Sequence, residues 1–335
     1  MSLILAIETS CDETAAAIVK DGRTVLSNCV ESQIQIHEKF GGVVPEVAAR
    51  HHLTAINQVV KSTMEEASVK PGDLSHIACT NGPGLVGTLL VGLSCAKALS
   101  WAWSKPLIAI DHLFAHVCAN YIDTDLEPPF ICLLVSGGHS QVMKFDRFDN
   151  GQVLGQTLDD AAGEAYDKVA RLLGLDYPGG PSIDRAAKTG NSEAFKFPEG
   201  VVDGYNFSFS GLKTAVLRKT EKLNGPLPVD DLAASFQDAV NRVLFKKSVK
   251  ALKFYGLDKI VLAGGVAANS DLRNRFSEFA KSEPGVKIYM PPLKYCTDNA
   301  AMVGSAAHFM GEPANADVSV YSRSPYRKKS RQNKS

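Results

Sequence analysis

The stretch LILAIETSCDETAAAIV, residues 3–19, decides the fold, because it predicts a strand, a short turn and a second strand. Its two apolar runs are each long enough for a strand, and small polar residues fill the turn between them. Residues 130–145, FICLLVSGGHSQVMKF, show the same order, with Ser136 to Ser140 as the turn. The two stretches therefore predict two similar β-hairpins in different parts of the chain.

Two further patterns also occur twice, and they follow the hairpins in the same order. Residues 76–99 and 259–280 each predict a strand, a glycine-rich turn and a helix, and residues 106–121 and 287–310 each predict a strand that leads into a helix. Three matched pairs indicate an internal repeat, although few residues are identical between the halves. We therefore expect an α/β fold of two pseudo-repeated lobes around a central cleft. This layout resembles the actin, Hsp70 and sugar-kinase superfamily.

The repeat also predicts the domain boundaries. We expect a first lobe over residues 1–125 and a second over 126–320, with an insertion at 151–231. Residues 321–335 form a basic segment with Arg323, Arg327, Lys328, Lys329, Arg331 and Lys334 and no acid. A solvated tail and a flexible arm that contacts phosphates are both compatible with this composition.

Composition limits the possible partners and the cellular compartment. The 335 residues hold 36 Lys plus Arg and 36 Asp plus Glu, so any contact with nucleic acid must be local. Seven scattered cysteines without a CxxC pair are typical of free thiols in a reducing compartment. The apolar run at the N-terminus is too short for a signal sequence, and no run reaches the ~18 residues of a membrane span. We expect a cytoplasmic protein with no membrane partner.

The segment DHLFAHVCANY, residues 111–121, predicts a helix that carries a metal site. His112 and His116 are four residues apart, so their imidazoles lie one turn apart on the same helix face. The matching helix of the second lobe offers Asp298 as a third ligand, although an acid there also suits the first turn of a helix. Leu113 stands where a zinc protease of the HExxH type has its glutamate, so that mechanism is excluded.

Other motifs in the sequence are less specific. Residues 82–87, GPGLVG, match the dinucleotide fingerprint, and Asp111 follows at a suitable distance. The motif does not lie on the first strand of its unit, so close helix–strand packing is the better interpretation. Asp12 and Glu13 lie in the first hairpin turn, where either simple solvation or a role with phosphate or metal fits. No GxxxxGK[ST] segment occurs, which excludes a P-loop nucleotidase.

Nine segments together carry a more specific resemblance. They are AIETSCDETAAAIV, GGVVPEVAARHH, NGPGLVGTLLVGLSCAKAL, the His-x-x-x-His helix, LLVSGGHSQ, DDAAGEAYDKVARLLGLDYPGGP, FSFSGLKTA, AGGVAANSDLR and YCTDNAAMVG. This series resembles the universal tRNA N6-adenosine threonylcarbamoyltransferase family, whose bacterial members are of the TsaD type. The resemblance implies transfer of L-threonylcarbamoyl from threonylcarbamoyl-AMP to the N6 amine of adenosine 37, in tRNAs that read ANN codons, with release of AMP.

The resemblance also implies roles for individual residues. His112, His116 and Asp298 match the ligands of one divalent ion, iron or zinc. The substrate and nucleotide positions are Leu134, Val135, Ser136, Gly137, Gly138, Asp167, Gly180, Asp184 and Asn269, to which we add the turn glycines Gly264 and Gly265. Asp12 and Glu13 are candidate catalytic acids. Asp111 stands where relatives often have an uncharged residue, and its charge is expected to influence the choice of metal.

The expected partners also follow from the resemblance. They are tRNA, a smaller paralogous subunit of the TsaB type and a P-loop ATPase of the TsaE type, and the helical region 47–66 is our prediction for the paralogue interface. Two other functions remain open at this stage: a non-catalytic scaffold of the same complex, and an ATP-dependent phosphotransferase of the same fold. The metal pair favours the enzyme over the scaffold.

Overall fold

The computed structural model describes residues 2–200 and 202–323, which form two five-stranded sheets. The first sheet has the order β3-β2-β1-β4-β5 and contains β1 (Leu3–Glu8), β2 (Glu13–Lys20), β3 (Thr24–Ser32), β4 (His76–Gly82) and β5 (Leu107–Asp111). The second has the order β10-β9-β6-β7-β8 and contains β6 (Phe130–Val135), β7 (Ser140–Arg147), β8 (Asn150–Gln156), β9 (Lys259–Ala263) and β10 (Lys287–Tyr289).

Ten α-helices are found in the described part of the chain. They are α1 (Ile34–Glu38), α2 (Pro45–Glu66), α3 (Val86–Trp103), α4 (His112–Cys118), α5 (Ala162–Leu172), α6 (Gly179–Ala187), α7 (Ser210–Thr220), α8 (Val229–Tyr255), α9 (Ser270–Ser282) and α10 (Ala300–Met310).

The two sheets have the same topology, and this confirms the predicted two-lobed fold. β1 pairs antiparallel with β2 and parallel with β4, and β6 pairs in the same way with β7 and β9. The strand–helix units β4–α3 and β9–α9 correspond, as do β5–α4 and β10–α10. Between β8 and α8 the second lobe has three helices, α5 to α7, which lie within the range predicted as an insertion. The domain boundaries at residues 125 and 320 remain a prediction.

The central strands are buried on both faces, which explains their continuous apolar sequences. Successive side chains of a strand point to opposite faces, so β1 sends Ile4 and Ala6 to one side and Leu5 and Ile7 to the other. On the first side Ile4 and Ala6 join a core layer that includes residues of α4, α10 and β6. This shared layer joins the two lobes and fixes α4 and α10 against each other.

The glycines of the GPGLVG segment serve close packing, as predicted. A Cβ atom on Gly84 would lie 2.6 Å from the carbonyl oxygen of Ser10. A Cβ atom on Gly82 would overlap Tyr321. Such separations do not occur between real atoms, so these positions bring backbone segments together rather than leave room for a dinucleotide.

Helix α3 is the one helix in the described ranges with the length and apolar composition of a membrane span. Only a third of its residues are buried, and Leu93 and Ala96 on its inner face pack in the first-lobe core. Core helices of water-soluble proteins pass the same test, so the helix by itself is weak evidence for a membrane.

Replacement of Gly304 by alanine tests the packing of α10. A Cβ atom there would lie 2.5 Å from Cγ2 of Val19, so α10 must move away from β2. We expect Gly304→Ala to lower the free energy of unfolding by about 1–3 kcal/mol, measured by urea denaturation.

Gly211 of α7 is a matched control, because a Cβ atom there meets nothing within 4 Å. Gly211→Ala should be neutral or stabilising by up to about 1 kcal/mol. Equal effects of the two substitutions would contradict the packing argument.

Candidate metal centre and substrate cleft

The junction between β5 and α4 fixes the position of the first histidine. Asp111 ends β5 and is the N-cap of α4, and its Oδ1 accepts hydrogen bonds from the backbone N–H groups of Leu113 and Phe114, at 2.8 and 3.2 Å. Helix α4 therefore begins at His112. His116 follows one turn later on the same face, as predicted.

The second lobe supplies a carboxylate from the equivalent junction. Asn299 is the N-cap of α10, and its Oδ1 accepts from the backbone N–H of Met302 at 3.0 Å. Asp298 therefore precedes the cap and does not belong to the first helical turn. The alternative explanation of Asp298, a first-turn acid that favours the helix dipole, is thus not supported.

The three predicted ligands converge on one point. Oδ1 of Asp298 lies 3.4 Å from Nε2 of His112 and 3.2 Å from Nε2 of His116. One ligand atom from each of the three residues lies within 4.8 Å of the others. A tetrahedral ion with bonds of about 2.0–2.1 Å holds its ligand atoms about 3.4 Å apart. The two imidazoles and the carboxylate therefore fit one divalent ion such as zinc or iron.

Glu8 and Ser10 orient His112 from behind, and the sequence analysis missed both. Nδ1 of His112 lies 3.3 Å from Oε2 of Glu8 and 3.2 Å from Oγ of Ser10, so Nε2 remains directed at Asp298. Glu8 is fully buried, and it also accepts hydrogen bonds from the backbone N–H of Ser10 and from the hydroxyl of Thr80. A carboxylate behind a ligating histidine is the usual support of a metal site. The sequence offered one signal for Glu8, because it is the only acid in the otherwise apolar strand β1.

The charges of the cluster favour a bound cation. Burial lowers the pKa of His112, but the negative charges of Asp298 and Glu8 outweigh burial and raise this pKa to about 9. Burial raises the pKa of Asp298, but the positive charge of His112 and the hydrogen bond to His116 together outweigh burial and lower that pKa to about 2. The cluster therefore stabilises a positive charge, which a proton supplies here and a metal ion supplies equally well.

The first hairpin turn places Asp12 and Glu13 next to this cluster. Burial, followed by the negative charges of Asp298 and Asp12, raises the pKa of Glu13 to about 10. Oε1 of Glu13 accepts a hydrogen bond from the hydroxyl of Ser32 at 3.1 Å. The charges of Asp298 and Asp12 therefore both act on Glu13, which is protonated at neutral pH in the absence of a cation.

His52 holds the same turn from the side of α2, and it is a third residue that the sequence analysis missed. Its Nδ1 lies 2.8 Å from Oγ1 of Thr14, and its Nε2 lies 3.0 Å from the carbonyl oxygen of Cys11. The imidazole is fully buried. It therefore fixes the backbone on both sides of Asp12 and Glu13. The pair His51-His52 occurs in a quoted segment, but the sequence does not show which of the two faces the turn.

The loop after β6 exposes backbone to the cleft. Leu134 and Val135 end β6, and their side chains are buried in the core, so only their backbone is available to a ligand. Added Cβ atoms on Gly137 and Gly138 would meet nothing within 4 Å. Gly265, on the neighbouring turn, is open in the same way.

Gly264 has a different role from its neighbours. It has φ of +88°, and an added Cβ atom would lie 2.3 Å from the carbonyl oxygen of Val135. The backbones of the two turns therefore touch at Gly264. This glycine is required for the close approach of the turns, whereas Gly137, Gly138 and Gly265 leave space for a ligand.

The remaining predicted nucleotide residues lie on the helices of the insertion and at the start of α9. Oδ1 of Asp167 accepts from the backbone N–H of Gly179 at 2.8 Å, and the next residue, Gly180, is open to solvent space. Oδ1 of Asp184 accepts from the hydroxyl of Ser270 at 2.8 Å. Asn269 is the N-cap of α9. Asp184 thus joins α6 to the start of α9 at Ser270, the residue after Asn269, and Asp167 joins α5 to the start of α6.

The three candidate metal ligands and the residues predicted to bind the nucleotide border one cleft. The pKa of Tyr177 is raised by burial and then by the negative charges of Asp12 and Asp167, so these acids approach each other across the cleft. A cavity of about 240 Å³ lies between Asp167, Tyr177 and the loop after α1. The guanidinium of Arg171 spans this region and donates to the carbonyl oxygen of Gly41 at 2.6 Å.

Solved structures with a similar fold share little sequence with this chain. HypF of T. kodakarensis superposes with a TM-score of 0.64 at 15% identity, over 92% of this chain and 47% of that chain. Component A of the (R)-2-hydroxyglutaryl-CoA dehydratase of Acidaminococcus fermentans gives a TM-score of 0.54 at 16% identity, over 92% and 98%. At these identities the likeness supports the two-lobed fold alone.

Sequence relatives identify the family. The family model "TsaD: tRNA N6-adenosine threonylcarbamoyltransferase" matches residues 24–305. Proteins named tRNA N6-adenosine threonylcarbamoyltransferase are 54% identical in Caldicellulosiruptor saccharolyticus, over 92% of both chains, and 52% identical in Gloeothece citriformis, over 97% of both. The predicted family and enzyme class are thereby confirmed: the chain belongs to the tRNA N6-adenosine threonylcarbamoyltransferase family.

Proposed function

We propose that the cleft between the two lobes is the active site for the reaction of this family, with the metal cluster at its centre. The chain is a tRNA-modifying transferase that places threonylcarbamoyl on the N6 amine of adenosine. The observation that carries the site assignment is the convergence of His112, His116 and Asp298 from two lobes on one point. A scaffold protein does not require this arrangement of buried charges.

His112, His116 and Asp298 would hold one divalent ion, zinc or iron. When bound, such an ion supplies Lewis-acid polarisation of an oxygen on the donor. Glu8 and Ser10 fix the ring of His112, so that its Nε2 stays available on the cleft side. Their role is to keep the ligand set in place before the substrates arrive.

The donor in this proposal is threonylcarbamoyl-AMP, and the glycine turns bind its adenylate portion. Gly137, Gly138 and Gly265 leave room for a phosphate close to the backbone, where N–H groups stabilise its negative charge. Gly180 leaves similar room near Asp167 and Asp184, where the nucleoside would lie. The N6 amine of adenosine 37 in ANN-reading tRNAs attacks the carbamoyl carbon. A C–N bond forms, the C–O bond to the phosphate breaks, and AMP departs.

The attacking amine must lose a proton, and Asp12 is the better candidate to accept it. Burial is the largest cause of the raised pKa of Glu13, and it persists when a cation neutralises Asp298, so burial still favours the protonated carboxyl group, which cannot accept a proton. Asp12 precedes it in the same turn, which His52 holds in place through Cys11 and Thr14. We therefore assign general-base catalysis to Asp12.

Partners and compartment are also proposals. We propose that a smaller paralogous subunit of the TsaB type binds the exposed side of α2, where Leu53 is accessible to solvent. A P-loop ATPase of the TsaE type is the third member of the complex, and the complex acts in the cytoplasm. The basic residues 327–334 lie outside the described part of the chain, so their proposed contact with tRNA stays a prediction.

Removal of the two histidines tests the metal site and the function together. We expect His112→Ala/His116→Ala to lose the stoichiometric metal that the parent chain binds, because Asp298 alone cannot hold it. Transfer of threonylcarbamoyl to tRNA should fall to background. Elemental analysis and a tRNA modification assay measure the two effects. His308→Ala is a control, since His308 is an exposed histidine at the end of α10. Full activity in the double variant would exclude the metal site from the reaction.

Replacement of Asp12 tests the general base. We expect Asp12→Asn to lower kcat for tRNA modification about 10²- to 10⁴-fold and to leave KM for the donor nearly unchanged. Asp149→Asn is a suitable control, because Asp149 is an acid in the turn between β7 and β8 that forms an ion pair with Arg147 at the surface. Near-normal turnover of Asp12→Asn would remove Asp12 from this role.

The raised pKa of Glu13 predicts a pH-dependent gain in stability on its replacement. Between its ordinary pKa of 4.5 and the folded value of about 10, the folded state binds more protons than the unfolded state, so this group lowers the free energy of unfolding as pH rises. In metal-free protein, Glu13→Gln should therefore stabilise more at pH 8 than at pH 6, by up to about 1.4 kcal/mol per pH unit. Urea denaturation at both pH values measures this. Glu31 on β3 is exposed, so the control variant Glu31→Gln should change the free energy of unfolding by the same amount at both pH values. If Glu13→Gln also changed the free energy of unfolding equally at both pH values, the argument from burial would be refuted.

A further inference from the structure

The last described residues return from α10 across the first lobe and end near the metal cluster. We name residues 311–321 the strap. Near its start, Pro313 forms a bridge with Ile108, and the backbone N–H of Ala314 donates to the carbonyl oxygen of Leu107 at 2.7 Å. Further along, the carbonyl oxygen of Val318 accepts a hydrogen bond from Lys97 of α3 at 2.6 Å. The strap is thus attached to β5 and to α3.

Tyr321 is seated at the end of β4 by its backbone and its ring. Its backbone N–H donates to the carbonyl oxygen of Asn81 at 3.0 Å. Its ring covers Gly82, where an added Cβ atom would lie 2.6 and 2.8 Å from two ring carbons. The side chain of Asn81 returns a hydrogen bond to the carbonyl oxygen of Ser319 at 3.2 Å. Position 82 therefore has to be glycine for Tyr321 to reach this place.

The hydroxyl of Tyr321 reaches the residue that starts the metal-bearing helix. It donates to Oδ2 of Asp111 at 2.7 Å, while Oδ1 of the same carboxylate caps α4. A hydroxyl bonded to a carboxylate is one of the stronger hydrogen bonds in proteins. It holds the carboxylate in the rotamer that caps the helix. The first residue after this cap is His112, so the cap determines where the imidazole lies.

We infer that Tyr321 is a positioning residue for metal binding, which acts on His112 through the Asp111 cap. The inference rests on the proposed function, because it takes His112 as a ligand. It assigns Asp111 a role different from the one expected from the sequence. The Asp111 carboxylate caps α4 through Oδ1 and accepts the Tyr321 hydroxyl through Oδ2, so it supports the ligand helix in addition to placing a negative charge near His112.

The size of the effect follows from one hydrogen bond. The net contribution of a hydrogen bond in a protein corresponds to about a 2- to 12-fold change in an equilibrium constant. Tyr321→Phe keeps the ring over Gly82 and removes only the hydroxyl. We expect this variant to bind Zn²⁺ about 2- to 12-fold more weakly than the parent chain.

The experiment uses the full chain, with Zn²⁺ affinity measured by competition with a chelator. Tyr289→Phe is a matched control, because the Tyr289 hydroxyl also donates to an aspartate, Asp125, at 3.1 Å. Tyr321→Phe is measured again in an Asp111→Ala background. Urea denaturation of each variant shows that it is folded. We expect weaker Zn²⁺ binding in Tyr321→Phe, parent affinity in Tyr289→Phe, and no added effect of Tyr321→Phe once Asp111 is absent.

Two results would overturn the inference. Parent affinity in folded Tyr321→Phe would show that the hydroxyl does not support the ligand. An undiminished effect of Tyr321→Phe in the Asp111→Ala background would show that it acts by another route. Asp298→Ala separates these failures from a failure of the proposed function. If Asp298→Ala keeps parent affinity for Zn²⁺, the metal site itself is wrong, and the inference fails with it.

Discussion

Helices α4 and α10 pack against each other between the two sheets. This contact forms part of the hydrophobic core and brings the candidate metal ligands together. Each helix begins at the cleft edge of its own sheet, after a parallel strand or the loop that follows one. The small residues Ala115 and Ala306 lie in the layer between the sheets, together with Ile4 and Leu134 from the two central strands. Because the helices start side by side, the His112 ring at the start of α4 meets the Asp298 carboxylate just before α10. The position of the metal cluster thus depends on apolar packing behind it.

The same arrangement places several charges where water is scarce. Glu8 is fully buried, and its pKa is lowered, because His112 and hydrogen bonds outweigh the effect of burial. Buried charges are costly unless they are paired and hydrogen-bonded. Glu8 meets this condition, with Ser10 and Thr80 as additional donors. Glu13 does not, and its pKa is raised. The cleft therefore contains one fixed carboxylate that supports a ligand and one acid whose charge state depends on a nearby cation.

Much of the fold could be predicted from the sequence, because its signals are local and occur twice. The hairpins at residues 3–19 and 130–145 differ in sequence but share the order of apolar runs and turn. The repeat also led to Asp298, since it identified the helix that matches α4. The supporting residues were not predictable in this way. Glu8 reaches His112 across 104 positions and Tyr321 reaches Asp111 across 210, and no local pattern reports such contacts. Gly264 and Gly265 are adjacent in sequence, yet only their surroundings separate the structural glycine from the open one.

The acidic character of the cleft has a consequence for how a polyanion such as tRNA approaches it. Asp12, Glu13, Asp167 and Asp298 border the same space, and the whole chain has equal numbers of acidic and basic residues. Neither the cleft nor the overall charge therefore attracts phosphate groups over a distance. An adenine base carries no charge and is not repelled by these acids, whereas backbone phosphates are repelled. The electrostatics thus favour entry of the base alone, and under the proposed function a cation at His112, His116 and Asp298 would offset part of the repulsion that these acids exert on phosphates. Under the proposed function, such an ion would therefore reduce the negative charge of the cleft in addition to polarising the donor.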